Sequence, residues 1–259
     1  MECFDLAQTL ECGQCFRWDL QPDGSYTGIA GGRMLNVSAE NLTEVLKDPF
    51  WRRYFDFDLD YEKIRRELSR ADPVLAEAAR FAPGIRILNQ DPWEALCSFI
   101  LSQNNNIPRI RGIVARLCEQ FGEETDGVRS FPEPAALRSL SEEDLAGVRC
   151  GFRARYLLDA ARRVDSGRVD LCALRTVPVA QARETLMTIV GVGPKVADCT
   201  LLYGLHRLEA FPMDVWMKRA MKTLFPGRAP ESFGRYAGIA QQYIFHYSRM
   251  NPQLFQKEA

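Results

Sequence analysis

The chain has 259 residues, 46% hydrophobic and 26% charged, with a formal net charge of −1. That length allows one large domain or two to three smaller ones with real cores, and the composition is that of an ordinary globular protein. No apolar run approaches the roughly 20 residues of a membrane span, and "MECFDLAQTL" lacks a basic region followed by an apolar stretch, so neither a spanning helix nor a signal peptide is expected and the cytoplasm is the default location.

Charge is unevenly placed. Residues 1–72 hold 9 Lys and Arg against 14 Asp and Glu, whereas residues 151–222 hold 12 against 7. A basic segment on a near-neutral chain points to an anionic partner, although solvated helix faces give the same count. Eight cysteines are scattered, and only Cys12 and Cys15 are close. No second pair completes a zinc site, so the cysteines read as reduced thiols, several of them small core residues. His206 and His246 are isolated and read as structural.

In chain order, residues 1 to about 38 read as β. "CFRWDL", "QPDGSY" and "YTGIAGGRMLNVS" are strand-like and are joined by Gly/Asp turn chemistry. From about residue 41 the pattern is helical. "AENLTEVLKDPF" runs into a proline stop, and "YEKIRRELSR" spaces its apolar residues three to four apart. "DPWEALCSFILSQ" starts at an aspartate with proline in the first turn. Helices continue over about 107–121, 134–140, 142–147, 153–166, 178–188, 194–205, 214–224 and 233–248, and no strand signal follows residue 90. The expected architecture is α+β. A small N-terminal antiparallel β-sheet domain with flanking helices, residues 1–90, joins a mostly α-helical body, residues 91–259.

One stretch carries chemistry. "ARETLMTI" and "PKVADCTLLYGL" are amphipathic helices separated by Val-Gly-Val-Gly, a helix-hairpin-helix pattern. Gly191 and Gly193 leave backbone N–H groups uncovered at a helix N-terminus, an anion site suited to a DNA phosphate. Pro194 belongs in a first helical turn, where its missing N–H is no loss. Lys195 follows, where the helix dipole disfavours a cation and burial would disfavour it further. A neutral lysine amine is a nucleophile able to form Schiff bases. A phosphate-contacting or solvated lysine is the competing reading. "AFPMDVWMKRAM" places Asp214 just before another amphipathic helix. A carboxylate there caps the helix, stays ionised, and is able to stabilise a cationic sugar or position an attacking group.

The helix-hairpin-helix, its lysine and the Pro-x-Asp loop resemble the helix-hairpin-helix DNA glycosylase superfamily. With "GQCFRW", "DPWEALCSFILSQNNNIPRI", "GFRARY", "GVGPKVADC" and "YAGIAQQYIF", the chain is similar to the 8-oxoguanine DNA glycosylase/AP lyase family over about residues 4–247. The lack of long tails and of a nuclear-type basic tract is similar to bacterial members, which act on nucleoid DNA. The resemblance implies a monomeric enzyme that excises 8-oxoguanine opposite cytosine from double-stranded DNA and nicks the strand by β-elimination, with the active site in a cleft between two helical subdomains. It makes Lys195 the nucleophile at the sugar C1′ and Asp214 the carboxylate that offsets the oxocarbenium charge.

The resemblance further implies a base pocket of Gly13, Cys199, Gln241 and Phe245. The Gly13 carbonyl would accept the N7–H that only the damaged base carries, Cys199 and Phe245 would sandwich the purine, and Gln241 would read its edge. It assigns the opposite cytosine to Asn104, Arg109 and Arg153, and a wedge in the stack to Phe152. Carbonyls of Met187, Ile189 and Val192 would hold a monovalent cation, with no other cofactor. Trp216 departs from the histidine frequent in eukaryotic members, which puts a phosphate contact there in doubt. Related adenine and thymine-glycol enzymes carry four clustered cysteines for an iron–sulfur cluster, but none follows Cys199 here. Alkylpurine types lack the lysine. Two alternatives remain at this level, a non-catalytic helix-hairpin-helix DNA-binding module and a glycosylase of this superfamily with another base specificity.

Overall fold

The computed structural model describes residues 3–125 and 127–255. Helix α1 (Leu6–Leu10), capped by the Asp5 carboxylate, leads into the antiparallel meander β1 (Trp18–Leu20), β2 (Tyr26–Ala30) and β3 (Arg33–Val37). The register sets Trp18 opposite Gly28, and Gly28 opposite Leu35. The missing side chain at Gly28 is what lets the Trp18 ring lie on the sheet, since a Cβ there would sit 2.2 Å from the indole. Trp18 Nε1 donates to the Tyr54 hydroxyl at 2.8 Å, and the indole packs against Trp51, Tyr54 and Phe55. These rings, with Leu10, Val37 and Leu88, form a core for the sheet.

Helices α2 (Leu42–Val45), α3 (Pro49–Tyr54), α4 (Tyr61–Ala71) and α5 (Pro73–Phe81) follow. The stretch expected to end at a proline is therefore two helices, and Pro49 begins the second. Asp48, Asp72 and Asp91 each accept a backbone N–H two residues on, and each precedes a proline in a first turn. A proline ring fixes φ near the helical value and has no N–H to waste there, so Asp-Pro starts a helix at all three places.

The body continues through α6 (Pro92–Leu101), α7 (Ile107–Phe121), α8 (Pro134–Leu137), α9 (Ala154–Asp165), α10 (Val179–Met187), α11 (Pro194–Cys199), α12 (Val215–Leu224) and α13 (Ala237–Met250). One core joins these helices, and it includes Tyr61, Ile64, Leu75 and Ala78 of α4 and α5. Those two helices thus precede residue 90 in sequence but pack with the helical body.

Further details differ from the sequence reading. The expected helix 142–147 is a turn followed by a 3-10 turn, Ala146–Val148. A two-residue strand pair, β4 (Glu124–Thr125) and β5 (Val128–Arg129), closes the loop after α7. Two residues are too few for alternation to show. The expected helix 194–205 is α11 followed by a π-helical turn, Thr200–Gly204. The expected helix 233–248 begins later, because Gly234 at φ 70° and ψ −152° breaks the chain between a 3-10 segment and α13.

The Trp18–Gly28 contact generates a stability prediction. Gly28→Ala should destabilise the chain by about 1–3 kcal/mol in urea unfolding, because an indole walled in by three other rings cannot yield. Unchanged unfolding would mean that the ring is free to move.

Candidate active site

The hairpin between α10 and α11 is set by its backbone. Val192 N–H donates to the Ile189 carbonyl at 3.0 Å, and Val190 N–H donates to Asp159 Oδ2 at 2.7 Å. Asp159 is itself held by Arg163 at 2.8 Å, so α9 pins the hairpin. Gly191 sits at φ 80°, and a Cβ on it would lie 2.4 Å from the Tyr156 ring. Handedness and close approach therefore both demand glycine there. Gly193 is extended and caps α11, with open space where a side chain would go. Arg183 meets Asp198 at 2.7 Å and ties α10 to α11. Burial holds the Asp198 carboxyl above the usual carboxylate range, and the Arg183 guanidinium opposes that shift.

This frame carries Lys195, half-buried, into a cleft of about 400 Å³. Its Nζ lies 3.0 Å from Ser102 Oγ and 5.1 Å from the centre of the Phe99 ring. The Ser102 hydroxyl donates to the Phe99 carbonyl at 2.8 Å. Its proton is thus committed, and Ser102 meets the amine as an acceptor. Asp214 lines the same cleft and caps α12, where one carboxylate oxygen accepts Met217 N–H at 2.7 Å. Among the described residues, no hydrogen bond occupies its other oxygen.

Gly13 and Phe245 complete the cleft wall. Gly13 adopts φ 89°, and a Cβ on it would lie 3.9 Å from Phe245 and 3.6 Å from Ile107. Its loop is pinned on both sides by buried amides. Gln14 Nε2 donates to the Thr9 and Arg86 carbonyls, both at 2.8 Å, and Gln14 Oε1 accepts Leu88 N–H at 2.9 Å. Gln90 holds the Gln14 carbonyl at 2.7 Å, and Gln242 holds that of Cys12 at 3.4 Å. Cys12 and Cys15 are buried beside this loop, and desolvation pushes the Cys12 thiol up to about 12.

The structure brings Gly13, Lys195, Asp214 and Phe245 to one cleft but keeps two expected pocket residues behind its wall. Cys199 is 3% exposed, and burial pushes its thiol up to about 11 against the pull of Lys195. Gln241 is equally buried. Its Nε2 donates to the Pro212 carbonyl at 3.2 Å, while its Oε1 has no partner among the described residues.

The residues expected at the opposite base lie outside the cleft lining. Asn104 is exposed in the left-handed region at φ 48°, Arg109 is exposed, and Phe152 is half exposed. Arg153 is 3% exposed. Its Nε donates to the Gln103 carbonyl at 2.9 Å, and a terminal nitrogen reaches the Asn104 carbonyl at 3.1 Å. Burial, and next the nearby Arg109, draws its pKa below the usual arginine value. In the chain without DNA, Arg153 holds the Asn104 turn. Trp216 lines the cleft and packs edge-on against Phe255.

Residues 1–96 match the family described as 8-oxoguanine DNA glycosylase, N-terminal domain, and residues 97–232 match the HhH-GPD superfamily base excision DNA repair protein family. The N-glycosylase/DNA lyase OGG1 of Arabidopsis thaliana is 31% identical over 93% of this chain and 76% of its own. The N-glycosylase/DNA lyase of Saccharomyces cerevisiae is 40% identical over 84% of this chain and 67% of its own. The 8-oxoguanine glycosylase/lyase of Clostridium acetobutylicum, solved with double-stranded DNA containing cytosine opposite 8-oxoguanine, is 37% identical. It superimposes with a TM-score of 0.85 over 97% of this chain and 94% of its own. The hairpin, lysine and aspartate thus sit in a fold shared with base-excision proteins. This chain belongs to the HhH-GPD superfamily and, within it, to the 8-oxoguanine DNA glycosylase/lyase family.

Sequence reading did not single out Ser102, Gln14, Gln90 or Gln242. Each lies in a quoted motif or beside one, but its role depends on a partner 74 to 230 residues away. The Arg153 geometry leads to a prediction. Arg153→Met should lower stability by about 1–3 kcal/mol, since it strands the Gln103 and Asn104 carbonyls. Amide exchange over residues 103–106 should quicken. Unchanged exchange there would remove Arg153 as the holder of that turn.

Proposed function

We propose that this protein excises 8-oxoguanine opposite cytosine from duplex DNA through Lys195 and then cleaves the strand as a lyase. The observation that carries the reading is the convergence of Lys195 and Asp214 on one cleft whose wall includes Gly13 and Phe245. A base in a duplex is out of reach, so the nucleotide must leave the stack first. Lys195 Nζ then bonds to C1′ as the bond to the base breaks and its electron pair departs with the base. The free Asp214 oxygen offsets the positive charge that develops on the sugar. The departing base takes up the proton that the bonded nitrogen sheds. The nitrogen lone pair then breaks the C1′–O4′ bond, O4′ is protonated, and the Schiff base that results acidifies C2′. Loss of the C2′ proton expels the 3′ phosphate and nicks the strand. Ser102 accepts an N–H from Lys195 Nζ and so positions that nitrogen.

The buried, unpaired Oε1 of Gln241 is an acceptor for a purine edge, and Phe245 supplies an aromatic face. Seating a purine between Phe245 and Cys199 requires the cleft to open towards Cys199 and Gln241. Asn104, Arg109 and Arg153 read the opposite cytosine, with Arg153 trading a bond to the Asn104 turn for the base, and Phe152 fills the vacated stack. Gly191 and Gly193 offer backbone N–H groups to a phosphate. The carbonyls of Met187, Ile189 and Val192 would supply oxygen ligands to a monovalent cation, with that of Ile189 also accepting Val192 N–H. No helix of the described residues is long and apolar enough to cross a membrane. The enzyme would act as a monomer on DNA in the cytoplasm.

Two experiments test this reading. Lys195→Gln should retain duplex binding while losing base release and the borohydride-trapped adduct. Asp214→Asn keeps a capping side chain and should fold, yet lose activity by roughly a hundredfold or more. A trapped adduct at wild-type level from Lys195→Gln would remove Lys195 from its role.

The second experiment concerns the opposite base. Arginine N–H groups match the O2 and N3 acceptors of cytosine, whereas thymine puts an N3–H donor in place of the ring acceptor and adenine puts a C2–H in place of the O2 acceptor, which leaves an arginine N–H unpaired. A buried mismatch of that kind costs on the order of 1–3 kcal/mol, so excision opposite cytosine should exceed that opposite adenine by at least about tenfold. Arg109→Met should narrow the gap and leave borohydride trapping intact. Equal excision opposite all four bases would sink the assignment of Asn104, Arg109 and Arg153 without touching the catalytic pair.

A further inference from the structure

Helices α4 and α5 form a second, open cavity of about 510 Å³. Arg65, Arg66, Arg70 and Arg80 line it, with Ser69 and a single acid, Glu62. These guanidiniums are poorly provided for. No ion pair or hydrogen bond engages the side chains of Arg66, Arg70 or Arg80 among the described residues, and Arg65 Nε is buried without a partner. Arg66 and Arg70 also stand four apart on one helix, a like-charge spacing that weakens it.

The remaining acids of α4 and α5 are committed elsewhere. Glu67 meets Arg235 at 3.1 Å, Asp72 meets Arg228 at 2.6 Å, and Glu77 accepts from the Tyr247 hydroxyl at 2.7 Å. General basicity does not explain the cluster, because residues 1–72 carry five more acids than bases. The cavity also lies away from the cleft. Helix α5 packs on α13, which turns Phe245 to the cleft and sets Tyr247 against Phe81 of α5.

We infer that this cavity is a binding site for a phosphate-bearing anion, separate from the catalytic cleft. Guanidinium forks match the oxygens of a phosphate in pairs, and a dianion would neutralise charges that Glu62 alone faces among the described residues of the lining. Ser69 supplies a hydroxyl donor among them. Two sources share this chemistry, a backbone phosphate of a second nucleic-acid segment and a free polyphosphate.

The test follows the arginine Nε–Hε resonances of the full chain by NMR. Inorganic pyrophosphate and a short undamaged duplex are titrated separately, each against chloride at equal ionic strength. The site predicts shifts at Arg65, Arg66, Arg70 and Arg80 with pyrophosphate that chloride does not reproduce. Shifts with the duplex as well identify a nucleic-acid backbone as a source, whereas shifts with pyrophosphate alone identify a free polyphosphate. In Arg66→Gln/Arg70→Gln/Arg80→Gln the affinity read at Arg65 should fall by at least about tenfold, with excision from a short lesion duplex unchanged. No shift in wild type with either probe, or equal shifts with chloride, overturns the site, and neither outcome depends on how the variant folds.

Discussion

The turn at Gly191 governs the rest of the site. Its left-handed φ and the flat contact with Tyr156 fix how α11 leaves the hairpin. The Asp159 carboxylate on Val190 N–H then locks that turn to α9. A lysine is long and rotamer-rich, and holding one in place costs side-chain entropy. Here the helix start sets the direction of its stem, and only the terminal amine needs a further partner, which Ser102 provides.

The cleft is built from parts that hold their shape without a substrate. The Gly13 loop has a positive φ, which glycine adopts freely, and every carbonyl that Gln14, Gln90 and Gln242 reach is satisfied. Such amide networks are costly when half made and rigid when complete. By contrast, Cys199 and Gln241 are buried behind the cleft wall. Asp214 both starts α12, through its bond from Met217 N–H, and lines the cleft.

The arginines around the Asn104 turn follow another logic. Arg153 is buried and spent on backbone carbonyls, whereas Arg109 beside it is exposed. Two neighbouring cations repel, and the burial of one is tolerated because the Gln103 and Asn104 carbonyls accept its N–H groups. The left-handed Asn104 is held by that arrangement. The shape of this turn is therefore set by buried contacts within the protein.

The sequence by itself determined much of this. Helix periodicity placed α4, α6, α7, α9 and α10 within a residue or two, because an amphipathic stripe is a local record of a buried face. Glycine spacing and the helix starts marked the hairpin, Lys195 and Asp214, since backbone handedness and capping are local chemistry as well. Local signals were also misread. Asp-Pro at 48–49 looked like a stop, although the same pair at 91–92 was read as a start. The chemistry is identical, and only the flanking periodicity differed. What the tertiary structure alone decided was which distant groups meet. Ser102 beneath Lys195, the glutamine brackets around Gly13 and the seat of Arg153 on the Asn104 turn all join segments far apart in the chain. No local pattern encodes those meetings, because they are set by how helices pack around a common core.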